Sequence, residues 1–286
     1  MRKSLLILML YIQIAFAQDS LLYKNDESSP FYSRKNLSIA FLSGAYASTL
    51  VSGYYMWWRD GQRRFSFYSS KEGEGWLNDP YSKGIDKIGH FYTSYFFYKL
   101  SKNLLIWGGY PEDDSKLHAA IMSLGIGLVI EVGDGFSRFG FDYQDLVFNT
   151  IGLGYGYLQD VLPVLQNFNF KWSYIPTHDF HFPPNLTSTY EAHIYWLTVD
   201  VHNLFQNTFM NFYPEYLQLG IGYSVSDDYK RREYLIGLDF NLDKIFSTNN
   251  QDWKLIIDTA NMLHYPAPGV KFQSGRKPDY RFFIFN

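Results

Sequence analysis

Residues 216–225 read Tyr-Leu-Gln-Leu-Gly-Ile-Gly-Tyr-Ser-Val, and residues 233–242 read Glu-Tyr-Leu-Ile-Gly-Leu-Asp-Phe-Asn-Leu. Large apolar residues alternate with small or polar ones in both stretches, which is the period of a β-strand with one apolar face. The polar linker at 226–230 predicts a hairpin between them. Further strands are predicted at 195–201, 253–259 and 280–285. Residues 166–286 are therefore predicted to form an antiparallel β-meander of about five strands.

The sequence before this region has the longer period of helices. Four predicted helices cover residues 36–58, 85–107, 115–132 and 142–165, and Gly, Pro and Asp residues separate them. They form a hydrophobic four-helix unit over residues 36–165. The predicted fold is thus α+β, with this unit followed by the antiparallel β-meander.

The N-terminus has the three parts of a secretory signal peptide. Met1-Arg2-Lys3 is basic, residues 5–16 are apolar, and Ala15-Phe16-Ala17 resembles a cleavage site. We predict a signal peptide at 1–17 and a polar leader at 18–35. These segments predict export to a bacterial cell envelope, on its periplasmic side.

The composition favours contact with a membrane. Aromatic residues make up 20% of the chain, with 25 Tyr and 25 Phe, and amphipathic rings are favoured at membrane interfaces. This predicts association with a membrane, the outer membrane in particular, although a tyrosine-rich soluble core remains an alternative. Residues 36–58 carry no charge and are long enough to cross a bilayer, but their many small residues also suit a helix buried in a bundle.

Charge and cysteine content exclude several classes of protein. The formal net charge is −3, which argues against a nucleic-acid partner because phosphates demand a basic surface. The chain has no cysteine, so disulfides and lipid attachment to cysteine are excluded. Any metal site must use His, Asp or Glu.

The candidate functional residues are polar side chains within the hydrophobic helices, where a charge must be paired, hydrogen-bonded or neutralised. They are Asp86, Lys87, His90 and Ser94 on the second helix, Glu131 and Asp134 on the third, and Asp142, Asp145 and Asn149 on the fourth. Spacings of four residues place Asp86, His90 and Ser94 on one stripe. We expect the three helices to bring these side chains together in one pocket or buried cluster.

Three interpretations of this cluster remain open. It can be a structural network, in which Asp86 and Asp142 cap helices, Lys87 pairs with Glu131, and Asn149 satisfies a backbone group. It can be a divalent metal site, whose ligands are then Asp86, His90, Glu131 and Asp134. It can also be a catalytic centre, formed by His90 with Asp86, Glu131, Asp134 and Asp145. The residues specify neither a cofactor nor an oligomeric state.

The remaining histidines give weaker signals. His178 and His181 flank Asp179 in a segment between the two halves, which suits either a metal clip or a solvated connector. The isolated histidines are interpreted as structural, and they are His118, His193, His202 and His264.

Two motifs in the helical unit carry a family resemblance. Residues 86–91 read Asp-Lys-Ile-Gly-His-Phe, and residues 145–152 read Asp-Leu-Val-Phe-Asn-Thr-Ile-Gly. With Glu131 and Asp134 between them, they resemble the YfiM-like family of envelope proteins of unknown function. More distantly, they are similar to the VanZ-like family, whose members are linked to glycopeptide resistance. The resemblance covers residues 36–165 and implies a small membrane-associated helical unit with no established reaction.

Two functional hypotheses follow from the sequence. The first is an exported, membrane-associated envelope protein without catalytic activity, in which the polar cluster is structural and the partner is a membrane lipid or another envelope protein. The second is a membrane-associated, hydrolase-like enzyme that acts on a lipid or cell-wall precursor through His90 and the neighbouring carboxylates. The sequence does not decide whether the protein is an enzyme.

Overall fold

A computed structural model describes residues 33–69, 75–80, 82–174, 189–208 and 212–283. The predicted signal peptide, most of the polar leader, and His178, Asp179 and His181 lie outside the described residues. The α+β prediction is confirmed, because four long helices precede a six-stranded antiparallel sheet.

The helices of the first half agree with the predicted positions and differ at their ends. They are α1 at Arg34–Gly53 with a π-helical turn at Tyr54–Trp58, α2 at Ile85–Trp107, α3 at Glu112–Gly135, and α4 at Tyr143–Val161. The fourth helix was expected to reach residue 165, but it stops before Pro163, which has no N–H to continue the ladder. A 3-10 turn at Pro163–Asn167 follows it.

Helix α2 is the centre of the helical unit, since α1, α3 and α4 all pack against it. The tightest approach is to α4, where a Cβ on Gly152 would overlap the backbone carbonyl of Phe91. Gly152 therefore allows the backbones of α2 and α4 to come close together. This close packing brings the polar residues of the two helices within reach of one another.

The strands of the second half form one sheet in which sequence neighbours pair antiparallel. They are β1 at Phe168–Tyr174, β2 at His193–Val199, β3 at Leu217–Val225, β4 at Arg232–Phe240, β5 at Gly269–Gln273 and β6 at Asp279–Arg281. Three short helices accompany them, α5 at Val201–Phe205, α6 at Leu242–Ile245 and α7 at Gln251–Ala260. The predicted β3–β4 hairpin is confirmed.

The predicted strand at 195–201 is confirmed as β2, shifted by two residues, whereas the strand predicted at 253–259 was wrong. Residues 253–259 belong to α7, whose N-cap Asn250 accepts hydrogen bonds from the N–H groups of Asp252 and Trp253 at 2.8 and 3.2 Å. This cap stabilises a helix where the alternating pattern suggested a strand. The strand predicted at 280–285 corresponds to β6, which ends at Arg281, and residues 284 and 285 lie outside the described residues. Strands β1 and β5 were missed.

Aromatic side chains hold the helical unit on the sheet. Phe91 of α2 packs on Phe170 of β1, with 4.6 Å between ring centroids, and Tyr92 packs on Tyr195 of β2 at 5.6 Å. The Tyr92 hydroxyl also donates to the carbonyl of Met262 at 2.7 Å. The sheet therefore lies along the N-terminal half of α2.

Residues 262–264, which precede β5, connect β1 at one edge of the sheet with β5 near the other edge. The N–H of Trp172 in β1 donates to Met262, and the N–H of His264 donates back to Trp172. The same chain then continues into β5, which pairs with β4. Strands β1 to β4 and this segment thus enclose a small interior.

The enclosed interior contains a buried ion pair. The Nζ of Lys171 lies 2.6 Å from Asp239 Oδ2, and both side chains are at most 1% exposed. Lys171 also donates to the Phe240 carbonyl and to Asn261, each at 2.9 Å. His264 stacks on Trp196 beside them, with centroids 3.8 Å apart. His264 thus makes structural contacts in this interior.

The buried His264 predicts a loss of stability in acid. Burial lowers its pKa to about 4, below the value of about 6.5 in an unfolded chain. The unfolded state therefore binds a proton first, and folding free energy is lost as the pH falls from 6.5 to 4. Between pH 7.5 and 4.5 the wild type should lose roughly 2–3 kcal/mol more than His264→Phe. Urea unfolding at both pH values measures this, and equal losses would contradict it.

Candidate functional site

The polar cluster lies where the N-terminus of α2, the C-terminal turns of α3 and the N-terminus of α4 meet. A tight turn positions α2, because the Asp79 carboxylate accepts hydrogen bonds from the N–H groups of Ser82 and Gly84 at 2.5 and 2.9 Å. Gly84 has a φ of +87°, which favours glycine. The predicted cap was wrong here, since Asp86 makes no capping bond and Gly84 occupies the N-cap position.

Lys87 is the centre of the inner part of the cluster. Its Nζ lies 2.7 Å from Asp142 Oδ2, 2.7 Å from Asp145 Oδ1 and 3.5 Å from Asp86 Oδ2. The side chain is 2% exposed. Burial alone would lower the pKa of Lys87, but the Asp86 and Asp145 carboxylates raise it above its usual value. The predicted pair with Glu131 was therefore wrong, because Lys87 points toward α4.

Asp142 has a second role at the start of α4. Its Oδ1 accepts a hydrogen bond from the Gln144 N–H at 2.8 Å, so it caps this helix as predicted. Because its other oxygen binds Lys87, the cap of α4 and the ion pair of α2 share one side chain. This arrangement fixes the two helix N-termini relative to each other.

His90 belongs to an outer and looser part of the cluster. Its Nδ1 lies 3.5 Å from Glu131 Oε1, and its Nε2 lies 3.7 Å from Asp145 Oδ2 and 3.9 Å from Asp86 Oδ1. The side chain is 20% exposed, unlike that of Lys87. Burial lowers the pKa of His90, but the carboxylates of Asp145, Glu131 and Asp86 outweigh it and raise the pKa above its usual value.

The carboxyl groups of α3 differ in their surroundings. Glu131 is fully buried, and its Oε2 accepts a hydrogen bond from the Asp142 N–H at 3.4 Å. Asp134 accepts a hydrogen bond from Trp58 Nε1 at 2.7 Å. Burial raises the pKa of Glu131 and Asp145, and it raises the pKa of Asp134 to about 6. The carboxyl groups of Glu131, Asp134 and Asp145 therefore bind protons more readily than they would in water.

Ser94 and Asn149 lie one turn deeper and tie the helices together. The Ser94 hydroxyl donates to Asn149 Oδ1 at 3.0 Å, while the Ser123 hydroxyl of α3 donates to the Ser94 carbonyl at 2.7 Å. The prediction that Asn149 satisfies a backbone group was wrong, since its Oδ1 accepts a hydrogen bond from the Ser94 hydroxyl. Asn149 also packs closely against α3, since a Cβ on Gly127 would come within 3.0 Å of its Nδ2.

The metal-ligand set predicted from sequence also differs from the structure. One ligand atom each from Asp86, His90 and Asp145 lies within 4.8 Å of the others. Glu131 lies on the opposite nitrogen of His90, and Asp134 is turned to Trp58. The three side chains whose ligand atoms lie closest together thus include Asp145 and not Glu131 or Asp134.

Sequence reasoning missed several residues of the site. Trp58 binds Asp134, and the Tyr190 hydroxyl donates to Asp86 Oδ1 at 3.1 Å. Nothing in the sequence indicates either contact, because the partners are far apart along the chain. The turn around Asp79 could have been found, since Asp79-Pro80 and Lys83-Gly84 are turn signals.

Comparison with known proteins gives one match. Residues 73–161 match a family described as "Predicted periplasmic lipoprotein (DUF2279)". No curated protein and no solved structure matches the chain. The matched range includes all of α2, α3 and α4, and therefore every residue of the cluster, although it covers less than half of the chain. The match supports an exported protein of the periplasmic cell envelope, related to an uncharacterised bacterial envelope family.

Proposed function

We propose that this chain is a membrane-associated envelope protein without catalytic activity, and that one face of its helical unit contacts lipid. A single observation carries the proposal. From Leu117 to Val161, Arg138 is the only charged residue that is exposed. Soluble proteins rarely expose apolar surfaces of this extent without a partner.

The uncharged surface consists of regular apolar stripes on two neighbouring helices. On α3 the exposed large apolar residues follow helical spacing, and they are Leu117, Ile121, Leu124 and Leu128. On α4 the exposed large apolar and aromatic residues are Tyr143, Val147, Ile151, Tyr157, Leu158 and Val161. Helix α3 is also the one described helix that is long and apolar enough to cross a membrane. We call this surface the α3–α4 face.

The end of the helical unit near the cluster has the composition of a membrane interface. Its exposed aromatic residues are Phe65, Phe67, Trp76, Phe139 and Tyr143. Its exposed basic residues are Arg59, Arg63, Arg64 and Arg138. Aromatic rings are favoured at the level of lipid headgroups, and arginines are attracted to anionic lipids. This combination favours lipid over a protein partner as the occupant of the α3–α4 face.

The position of the sheet favours lipid contact through one face of the helical unit rather than insertion of all four helices into the membrane. It packs along the N-terminal half of α2 through Phe91 and Tyr92. Its β3–β4 hairpin exposes Asp227, Asp228 and Lys230. Lipid surrounding α2 on all sides would have to displace this docked sheet. In this proposal the ion pairs of Lys87 are structural and hold α2 and α4 in register beneath the lipid-facing surface.

Charged substitutions on the α3–α4 face test the proposal. We expect Ile121→Glu with Leu128→Glu to shift the protein from the membrane to the soluble fraction, because each carboxylate costs about 2 kcal/mol or more in hydrocarbon. Folding should be retained, since both side chains are already exposed. Membranes are washed with high salt and separated by density, and we expect the wild type in the outer-membrane fraction.

The matched control is Ile256→Glu on α7, whose side chain is 54% exposed and lies off this face. It should fractionate as the wild type does. Full recovery of the wild type in the soluble fraction would remove the membrane proposal. Unchanged membrane binding of the double variant would show that the α3–α4 face is not the contact.

A further inference from the structure

We propose that Asp86, His90 and Asp145 form a binding site for one divalent transition-metal ion, with zinc and manganese as the fitting ions. The His90 Nε2 lies 3.9 Å from Asp86 Oδ1 and 3.7 Å from Asp145 Oδ2. Ligands held about 2.1 Å from a tetrahedral ion are separated by about 3.4 Å. The two distances from His90 therefore exceed the tetrahedral spacing by a few tenths of an ångström, and all three ligand atoms lie within 4.8 Å of one another.

The two carboxylates are divided between the inner and outer parts of the cluster. Asp145 uses Oδ1 to bind Lys87 and turns Oδ2 toward His90. Asp86 has the same division, with Oδ2 toward Lys87 and Oδ1 toward His90. Lys87 therefore orients both carboxylates while leaving one oxygen of each for an ion, and Tyr190 donates a hydrogen bond to the Asp86 oxygen.

Glu131 provides an observation independent of these carboxylates. Its Oε1 is buried, finds no hydrogen bond within the described part of the chain, and lies 3.5 Å from His90 Nδ1. A histidine that binds metal through one ring nitrogen usually donates the other N–H to a carboxylate. Glu131 is placed to accept that hydrogen bond, which would fix the Nε2 lone pair of His90 toward Asp86 and Asp145.

Charge and access also suit a cation. Five carboxyl groups surround this end of the bundle, and they are Asp86, Glu131, Asp134, Asp142 and Asp145. Lys87 and His90 are the basic side chains that face these carboxyl groups in the described part of the chain, so two basic groups stand against five acidic ones. The side chains of His90 and Asp86 are 20% and 19% exposed, which gives an ion a path from solvent.

The ligand types decide which ions fit. One imidazole nitrogen and two carboxylate oxygens suit zinc and manganese, whereas thiolate-preferring ions find no ligand in a chain without cysteine. Three protein ligands leave a coordination position for water. This assignment does not depend on membrane contact, because none of the three ligands lies on the α3–α4 face.

Calorimetric titration of the full chain tests the site. The purified protein is stripped with EDTA and titrated separately with zinc chloride and manganese chloride. We expect one ion per chain for at least one of the two metals. Asp86→Asn should weaken binding by about tenfold or more, and Glu131→Gln should weaken it by about 10–100-fold without removing a ligand. Asp86→Asn is the decisive variant, since its side chain is partly exposed and the melting temperature without metal should change little.

The matched control is His118→Gln on α3, a histidine whose Nδ1 contacts the Asp114 carbonyl outside the cluster. It should bind metal as the wild type does. Absence of saturable binding of either metal to the folded wild type would overturn the proposal. Binding by folded Asp86→Asn and Glu131→Gln as tight as that of the wild type would overturn it as well.

Discussion

Replacing Lys87 with Met is expected to lower the free energy of unfolding by about 3–5 kcal/mol. The substitution leaves the carboxylates of Asp142 and Asp145 buried without their ammonium partner, although each lies 2.7 Å from it in the wild type. An uncompensated buried charge costs far more than the loss of a surface ion pair. Urea unfolding followed by tryptophan fluorescence measures the change.

Neutralising the partners should restore part of the lost stability. In Lys87→Met combined with Asp142→Asn and Asp145→Asn, the buried charges are removed, and Asn at position 142 can still cap α4. The matched control is Lys244→Met, which breaks an exposed pair with Glu215 at 3.5 Å and should cost less than about 1 kcal/mol. A loss for Lys87→Met no larger than that of the control would contradict the structural role of Lys87.

Lys171→Met is expected to have an effect of similar size in the sheet, about 3–5 kcal/mol. Its partner Asp239 is 0% exposed, so the remaining carboxylate would have no access to water. The substitution also removes hydrogen bonds to the Phe240 carbonyl and to Asn261. Thermal and urea unfolding measure the loss.

The double variant Lys171→Met with Asp239→Leu separates charge from packing. Apolar replacement of both members of a buried pair is often neutral or stabilising, so the double variant should be more stable than Lys171→Met alone. If the two variants are equally unstable, the lost hydrogen bonds and packing explain the effect, and the uncompensated charge does not.

The sequence predicted the parts of the fold whose periods are regular over a long stretch. Alternation over 216–225 and 233–242 predicted β3 and β4, and the uncharged or apolar stretches predicted the four long helices. Shorter elements depend on tertiary contacts instead. Residues 253–259 fit a strand by pattern, yet the Asn250 cap and contacts of α7 with α2 make them helical. Strand β5 is formed by pairing with β4 rather than by its own sequence.

The contacts of the candidate cluster were also predicted only in part, because sequence spacing does not fix contacts between helices. Four-residue spacing identified the stripe that contains Asp86 and His90, since the period of a helix fixes which residues share a face. Spacing does not determine which carboxylate on another helix meets Lys87. The partner of Lys87 depends on how closely α4 approaches α2, and Gly152 permits a close approach. Lys87 therefore pairs with Asp142 and Asp145 of the α4 N-terminus instead of with Glu131.

A fluorescent probe on the α3–α4 face tests the proposed lipid contact of the helical unit most directly. The chain has no cysteine, so Leu124→Cys can be labelled at one position with an environment-sensitive dye, and Asp227→Cys at the β3–β4 hairpin provides the control. The labelled proteins are mixed with vesicles of phosphatidylethanolamine and phosphatidylglycerol that contain lipids with a spin label on the acyl chain. If the face contacts lipid, emission at position 124 should be blue-shifted and strongly quenched, with neither change at position 227. Unquenched emission at position 124, in protein that sediments with the vesicles, would contradict it.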